Sequence, residues 1–495
     1  MLPLLGIATV VLLFSPLVPA DFNKDLYHFF RIYIFARWCI YLLLLWRGSN
    51  FRQKWREWMM AIIFISSVFL LLINAVSEIF FWIEFSSRYN FIAVDYLVYT
   101  TEVLGNIRES YPVGYILISI LAVSFLTWFA CRRRLIPFSP IRLTVLPRFS
   151  ASLAWVTVIT IDATILPPKW QYYSENNYAN ELAGNGLYDF VQAFKKNELD
   201  YFHYYRTIPE NEAFDIVRRD LNIDSLPGHT DDGDILRYIH SPGSPKRMNV
   251  VLISIESFSA GFMTAFGNQE HLTPVLDSIA KHGLLFTHFF ATGTRTVRGL
   301  EAISLAIPPL PGQSLVKRPE NKNLFSLGSV FRGNGYSTQY IYGGYSYFDN
   351  MKDFFNGNGY NVIDRSAIPV KDVHYSNIWG VADEDLFSLA LKQMNSNYAA
   401  GRPFFSHVMT VSNHRPYTYP EGRIDISPVK HTREGAVKYT DYCIGQFLKA
   451  AAAEPWFANT LFVILADHCA SSAGKTDLPV TGYHIPMIMF APGKI

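Results

Sequence analysis

The sequence predicts a multi-pass α-helical membrane domain followed by an α/β domain with a largely parallel central sheet. Three observations carry that expectation. Long apolar runs dominate the first third of the 495 residues and thin out after it, a shift that separates a membrane module from a globular one. From Met248 onward, short runs rich in β-branched and aromatic residues alternate with helical patterns, the signature of strands joined by crossover helices. Acidic and histidine residues follow directly on several of those strand runs, where open α/β sheets place their ligands.

The membrane third contains apolar stretches at 2–20, 29–46, 59–83, 113–130 and 151–167. The hydrocarbon core is about 30 Å thick and needs about 20 residues of helix, so 59–83 and 113–130 are long enough to span it. Arg31 and Arg37 interrupt 29–46. The stretch 2–20 ends on Ala20 as a signal peptide would, but no Lys or Arg precedes it, so a spanning helix is the expectation. Asp162 is an ionisable group near the end of the last stretch, expected at the membrane interface.

Charge orients these spans. Arg47, Arg52, Lys54 and Arg56 crowd one connection, and Arg132, Arg133, Arg134, Arg142 and Arg148 crowd another. The connection between them, 84–112, is mixed in sign. With both basic segments in the cytoplasm, everything after residue 167 lies outside it. The expected domains are a five-helix transmembrane domain at 1–167, a helical linker at 168–245 and an extracytoplasmic catalytic domain at 246–495. Ile495 follows closely on the strand run Pro486–Phe490, and more sheet and helix are expected beyond it.

Composition excludes other classes. A net charge of +2 carries no electrostatic footprint for nucleic acid. The cysteines at 39, 131, 443 and 469 are too few and too scattered for a disulfide framework, and Cys443 and Cys469 are expected to stay unpaired.

Strands are expected at Val250–Ser254, Gln339–Tyr342, Phe404–Val411, Leu461–Ala466 and Pro486–Phe490, and helices at Thr273–His282, Gly299–Ala306, Asp383–Asn395 and Arg433–Ala453. Glu256 follows the first strand, and Asp467 and His468 follow Leu461–Ala466. Two carboxylates and an imidazole suit a divalent ion, with manganese expected ahead of magnesium or zinc. Each residue alone reads more readily as a cap or an ion-pair partner; their recurrence at strand ends gives the metal reading its weight. Thr296 begins a helical run, where backbone N–H groups favour a phosphate, and a metal would activate an otherwise weak hydroxyl nucleophile. Thr is also a common N-cap, which would account for it without chemistry. His414, in Ser412–Pro416, and His484, in Tyr483–Pro486, are each able to bind phosphate or protonate a leaving group, or to serve as ordinary loop histidines.

Taken in order, NVVLISIESF at Asn249–Phe258, GTRTVRGLE at Gly293–Glu301, SNHRP at Ser412–Pro416, ADH at Ala466–His468 and YHIP at Tyr483–Pro486 resemble the lipoteichoic acid synthase and phosphoglycerol transferase family. That family lies within the sulfatase and alkaline phosphatase superfamily. The resemblance extends over nearly the whole chain, membrane module included, and leans toward Gram-negative members. It implies an alkaline-phosphatase/sulfatase-like catalytic domain in the bacterial inner membrane, facing the periplasm. It makes Thr296 the nucleophile, Glu256, Asp467 and His468 its metal-ligand partners, and His414, His484, Arg298 and Asp349 substrate contacts. The implied reaction moves phosphoglycerol from the membrane lipid phosphatidylglycerol, through a threonine-bound intermediate, to a hydroxyl of an envelope glycan or polymer. Gly344, Asp349 and Met351 stand where polyglycerolphosphate synthases carry Asp, Trp and Arg. Losing that Arg removes a bidentate phosphate partner, so a different donor or acceptor pocket is expected. The competing expectations are a phosphoethanolamine transferase acting on lipid A and a non-catalytic binder of envelope lipids. A sulfatase is disfavoured because Thr296 lies in no Cys/Ser-x-Pro-x-Arg motif.

Overall fold

The computed structural model describes residues 23–135, 171–195, 206–221 and 246–494 apart from 309, 311 and 474–477, with a few single positions between them. The apolar stretch 2–20, all but three positions of 151–167, Asp162 and the linker segments 196–205 and 222–234 lie outside the described residues.

By internal contact the chain divides into two compact units. The first, residues 1–76 with 114–161, contains the helix Asn23–Trp46 and most of the helices Ser49–Phe85 and Val113–Leu135. Two helices among the described residues, Ser49–Phe85 and Val113–Arg134, are long and apolar enough to cross a membrane. They contain the stretches 59–83 and 113–130. The stretch 29–46 is helical, inside Asn23–Trp46.

The second unit comprises 77–113 and 162–495. At its centre is a seven-stranded sheet in the order β2-β7-β6-β1-β5-β3-β4. The strands are β1 (Asn249–Ile255), β2 (Leu284–Phe286), β3 (Ser337–Tyr342), β4 (Asn361–Ile363), β5 (Phe404–Met409), β6 (Thr460–Ala466) and β7 (Met487–Phe490). The five strands from β6 to β4 are parallel. β7 runs antiparallel to both β6 and β2, so the sheet is mixed and mostly parallel.

Burial on both faces explains the near-continuous apolar character of the central strands. Along β1, Val251, Ile253 and Ile255 enter one buried cluster with Leu386, Ile444 and Phe462. Leu252 enters the other, with Leu465, Tyr340 and Leu300. The period-two alternation of the pleat separates them. Residues 1% exposed or less, such as Val251, Ile253 and Ile255, contribute roughly 1.5–3 kcal/mol each by removal from water. The helices Asp383–Ala399 and Arg433–Ala451 cover the first face. Cys443 and Cys469 are both buried and free.

All five expected strands form. β2 and β4, three residues each, went unanticipated because three residues are too few to show a period. Within the expected helical linker the described residues form the helices Asn177–Ala183 and Gly186–Lys195, separated at Gly184.

Candidate active site

The site gathers beyond the carboxyl ends of β1, β5 and β6, the strands at the middle of the sheet. Because β1 and β6 pair in register from Asn249↔Thr460 to Ile255↔Ala466, the residues that follow them, Glu256 and Asp467–His468, emerge side by side. Ligand-bearing atoms of Glu256, Asp467 and His468 all lie within 4.8 Å of one another, and all three residues are buried.

Backbone contacts hold this cluster. Asp467 Oδ1 accepts the N–H groups of Ser257 at 2.9 Å and of His468 at 2.7 Å. The Asn413 amide donates to the carbonyls of Glu256 and Ser257 at 2.8 and 3.1 Å, tying the end of β5 to the end of β1. Ser257 itself sits at φ 49°, a left-handed conformation uncommon for a residue with a side chain, and its Oγ donates to Glu256 Oε1 at 2.6 Å.

The second Asp467 oxygen, Oδ2, is buried without a hydrogen-bond partner. A buried carboxylate oxygen left unsatisfied is costly, and a metal ion is one of the partners that satisfies it. His468 Nδ1 lies 2.8 Å from the carbonyl of Cys469. That contact takes the proton on Nδ1 and leaves Nε2 as the ligating nitrogen, 3.6 Å from both Glu256 Oε1 and Asp467 Oδ2. The donor set therefore fits a divalent cation.

The electrostatics agree. Burial would raise Glu256, but the hydrogen bond and charge of His468, with the charge of His414, hold it down to about 2. Burial, reinforced by the charge of Glu256, pushes Asp467 up to about 7. Burial opposes a charged His468, yet Asp467 and Glu256 carry it up to about 9. Two buried carboxylates facing each other call for positive charge between them.

Thr296 is the first residue of the helix Thr296–Leu305; its N-cap is Arg295, which makes no side-chain capping bond. The simple capping role considered for Thr296 therefore does not apply. Its Oγ1 instead donates to Glu256 Oε2 at 3.1 Å. Gly299 allows this approach: a Cβ there would meet the Asp467 carbonyl oxygen at 2.3 Å, so the helix packs onto the Asp467 backbone only because position 299 lacks a side chain.

The remaining candidates are placed differently. The His414 ring lies 3.9 Å from that of Trp379, and its Nδ1 is 3.0 Å from the Arg415 carbonyl. Burial shifts this imidazole toward its neutral form, against the pull of Glu256. Arg298 reaches Glu301 Oε1 at 2.7 Å and also donates to the Gly312 carbonyl. Glu301 is fully buried and also accepts from Ser314 and Leu315 at 2.7 and 2.6 Å. His484 Nε2 lies 2.9 Å from the Thr287 carbonyl, with its ring between Phe266 and Phe290. Asp349 is buried at φ 51° and pairs with Lys317 at 2.9 Å.

The departures from the family pattern have local reasons. A Cβ on Gly344 would fall 2.5 Å from the Trp379 carbonyl oxygen and 2.6 Å from the Tyr342 ring, leaving no room for an aspartate. Met351 is buried and its Sδ accepts from the Tyr340 hydroxyl at 3.2 Å.

Sequence reasoning passed over Arg295, Lys317, Asn413 and Asp95. Asp95 Oδ2 lies 2.5 Å from Arg295 and 3.3 Å from Lys317, a contact across 200 residues of sequence that no local pattern announces.

The sulfatase family model matches residues 248–495. Phosphoglycerol transferase I of Escherichia coli O127:H6 is 28% identical over 262 residues, which are 48% of this chain and 33% of the relative. The chain thus spans about a third of the length of this curated relative. A crystal structure of a protein in the alkaline phosphatase superfamily from Vibrio parahaemolyticus is 36% identical. It covers 58% of this chain and 69% of that one, with a TM-score of 0.53. The integral membrane protein lipooligosaccharide phosphoethanolamine transferase A from Neisseria meningitidis is similar in fold, with a TM-score of 0.52. The match covers 98% of this chain and 85% of that one at 15% identity.

Proposed function

The chain belongs to the sulfatase family, within the alkaline phosphatase superfamily, and from that premise we propose a membrane-bound, metal-dependent phosphoglycerol transferase. The donor is phosphatidylglycerol and the acceptor is a hydroxyl of an envelope glycan or polymer. The observation that carries this reading is the Thr296 hydroxyl 3.1 Å from Glu256, within a buried cluster where Asp467 Oδ2 lacks a protein partner.

Thr296 Oγ1 attacks the head-group phosphorus, forming a glycerophosphoryl-threonine as the bond to the diacylglycerol oxygen breaks. That oxygen takes a proton and diacylglycerol leaves. The acceptor hydroxyl oxygen then attacks the same phosphorus, the bond from phosphorus to Thr296 Oγ1 breaks, the glycerophosphoryl group stays on the acceptor, and the acceptor's proton returns to Thr296. Glu256 orients the threonine hydroxyl, and His414, whose charge acts on Glu256, is proposed to exchange the proton. A divalent cation held by Glu256, Asp467, His468 and Thr296, with manganese the expected ion, would lower the pKa of that hydroxyl and offset the developing phosphoryl charge. His484, Arg298 and Asp349 are proposed as further contacts to the substrate.

Supporting the anchor are the two helices able to cross a membrane and the fold shared over 98% of the chain with an integral membrane protein. We propose five spans in the bacterial inner membrane, with the Arg-rich connections 47–58 and 131–150 cytoplasmic and the catalytic domain periplasmic. The domain limits 1–167, 168–245 and 246–495 belong to the same proposal.

Purified protein incubated with fluorescent phosphatidylglycerol and manganese tests the reading. Diacylglycerol release that chelator abolishes and Thr296→Ala lacks supports it. Release from phosphatidylethanolamine alone replaces the donor, and silence with both lipids sinks the transferase reading.

A further inference from the structure

The segment 77–113, which joins the two candidate spans in sequence, carries four carboxylates between residues 84 and 112, and all four reach loops that bear the site. Asp95 pairs at 2.5 Å with Arg295, the residue before Thr296, and at 3.3 Å with Lys317, which in turn holds Asp349 at 2.9 Å. Glu84 pairs at 2.7 Å with Arg415, the residue after His414, and the Tyr111 hydroxyl accepts from the same guanidinium at 3.2 Å. Glu109 accepts from the backbone N–H of Ile378 at 3.2 Å, next to the Trp379 whose ring packs against that of His414. Glu102 accepts from the Tyr347 hydroxyl, two residues before Asp349.

Surface ion pairs contribute little because water screens them. The pairs at Asp95 and Asp349 are different, with side chains of Arg295 and Asp95 20% and 14% exposed and of Lys317 and Asp349 8% and 6% exposed, while Arg415 and Glu84 are half-buried at 33% and 30%. Charge-assisted bonds of this geometry fix direction as well as distance. Three of the four carboxylates meet a residue within two positions of a proposed catalytic or substrate-contacting one: Arg295 beside Thr296, Arg415 beside His414 and Tyr347 near Asp349.

We propose that segment 77–113 is a positioning scaffold for the active site, in which Asp95 and Glu84 act as positioning residues. Asp95 sets Thr296 through Arg295, and Glu84 sets His414 through Arg415. The inference rests on the transferase reading for its catalytic consequence, although the scaffold has a signature independent of activity. Because the segment is continuous with both candidate spans, the nucleophile is ordered by residues that belong to the membrane-proximal part of the chain. Proximity and orientation are where small misplacements cost rate.

The test uses the full chain in detergent micelles with manganese and fluorescent phosphatidylglycerol. Glu84→Gln and Asp95→Asn are each expected to lower kcat about 10- to 100-fold, as loss of an outer partner does, with KM for the lipid and manganese affinity little changed. The exchange Glu84→Arg with Arg415→Glu is expected to recover most of the lost kcat. Hydrogen exchange is measured in parallel, and faster exchange confined to 291–298 and 411–417 is the expected mark of a loosened scaffold. Unchanged kcat and exchange in both variants would overturn the proposal. So would a uniform loss of stability and manganese binding, or an exchange variant no better than the single ones. If wild type releases no diacylglycerol, the transferase reading fails, and the hydrogen-exchange comparison still decides the scaffold.

Discussion

Thr296 Oγ1 donates to Glu256 Oε2 across 3.1 Å, joining the first residue of a helix to the residue that follows the central strand. Forty positions of sequence separate them, and β1 and the Thr296–Leu305 helix bring them together. The contact joins the hydroxyl to the buried cluster of Glu256, Asp467 and His468 that could hold a metal ion, and carries the first prediction. Thr296→Ala is expected to lower diacylglycerol release by about 10³-fold or more, the scale seen when a nucleophile is removed. Thr296→Ser keeps an oxygen at the same place and is expected to retain much of the rate. Both are measured in the lipid-release assay, with the melting temperature as a check on folding.

The partnerless Asp467 Oδ2 leads to a prediction about metal and stability. Manganese added to metal-free protein is expected to raise the melting temperature, because an ion that binds only the folded cluster stabilises it by about 2.7 kcal/mol at a hundredfold excess over Kd. Asp467→Asn is expected to abolish that rise, as read by thermal denaturation with and without manganese.

The same cluster predicts how metal affinity changes with pH. Without metal, Asp467 titrates near about 7 and His468 near about 9, both raised from their ordinary values. The metal-free site therefore holds protons at neutral pH that the metal must displace. Affinity is expected to strengthen as pH rises from about 6 to about 9, followed by manganese titration calorimetry. A flat profile would contradict the protonation assigned here.

Gly299 is expected to resist substitution. Alanine is intrinsically better than glycine in a helix by about 1 kcal/mol, but its Cβ would lie 2.3 Å from the Asp467 carbonyl oxygen. A backbone atom cannot rotate away, so the clash wins. Gly299→Ala is expected to destabilise by about 1–3 kcal/mol and to weaken manganese binding, measured by denaturation and metal titration. Gly344→Asp, which restores the residue type of the polyglycerolphosphate synthases, meets a similar backbone wall at the Trp379 carbonyl and is expected to destabilise without adding activity.

Arg298 offers a test that separates fold from substrate. Its guanidinium holds Glu301, which is fully buried. Removing one partner of a buried pair costs on the order of 3–5 kcal/mol because the other charge is stranded. Arg298→Ala is expected to lose stability on that scale, while Arg298→Ala with Glu301→Gln recovers part of it in chemical denaturation. Weak lipid binding that persists in the double variant, where stability is recovered, is expected if Arg298 also makes the substrate contact proposed for it.

Much of this arrangement was legible in the chain. The runs at Val250–Ser254 and Leu461–Ala466 marked β1 and β6 by continuous apolar residues, and Glu256, Asp467 and His468 stood out because they follow those runs directly. Period and punctuation are local signals, so local reading finds them. The Asp95–Arg295 and Glu84–Arg415 pairs were not legible. Segment 84–112 read only as a connection of mixed charge, since a surface carboxylate and a buried partner look identical in sequence.

The sequence by itself determined the alternation of strand and helix, the two candidate spans at 59–83 and 113–130, and the residue types offered at the strand ends. Hydrophobic periodicity is written along the chain and requires no partner to be read. Tertiary structure decided which of those residues meet. The parallel register of β1 with β6 set Glu256 beside Asp467 and His468. The absence of a side chain at Gly299 let Thr296 close on them, and the same packing turned Arg298 toward Glu301 and Met351 into the core. Such choices depend on atoms hundreds of residues apart competing for one volume, and only the packed chain resolves that competition.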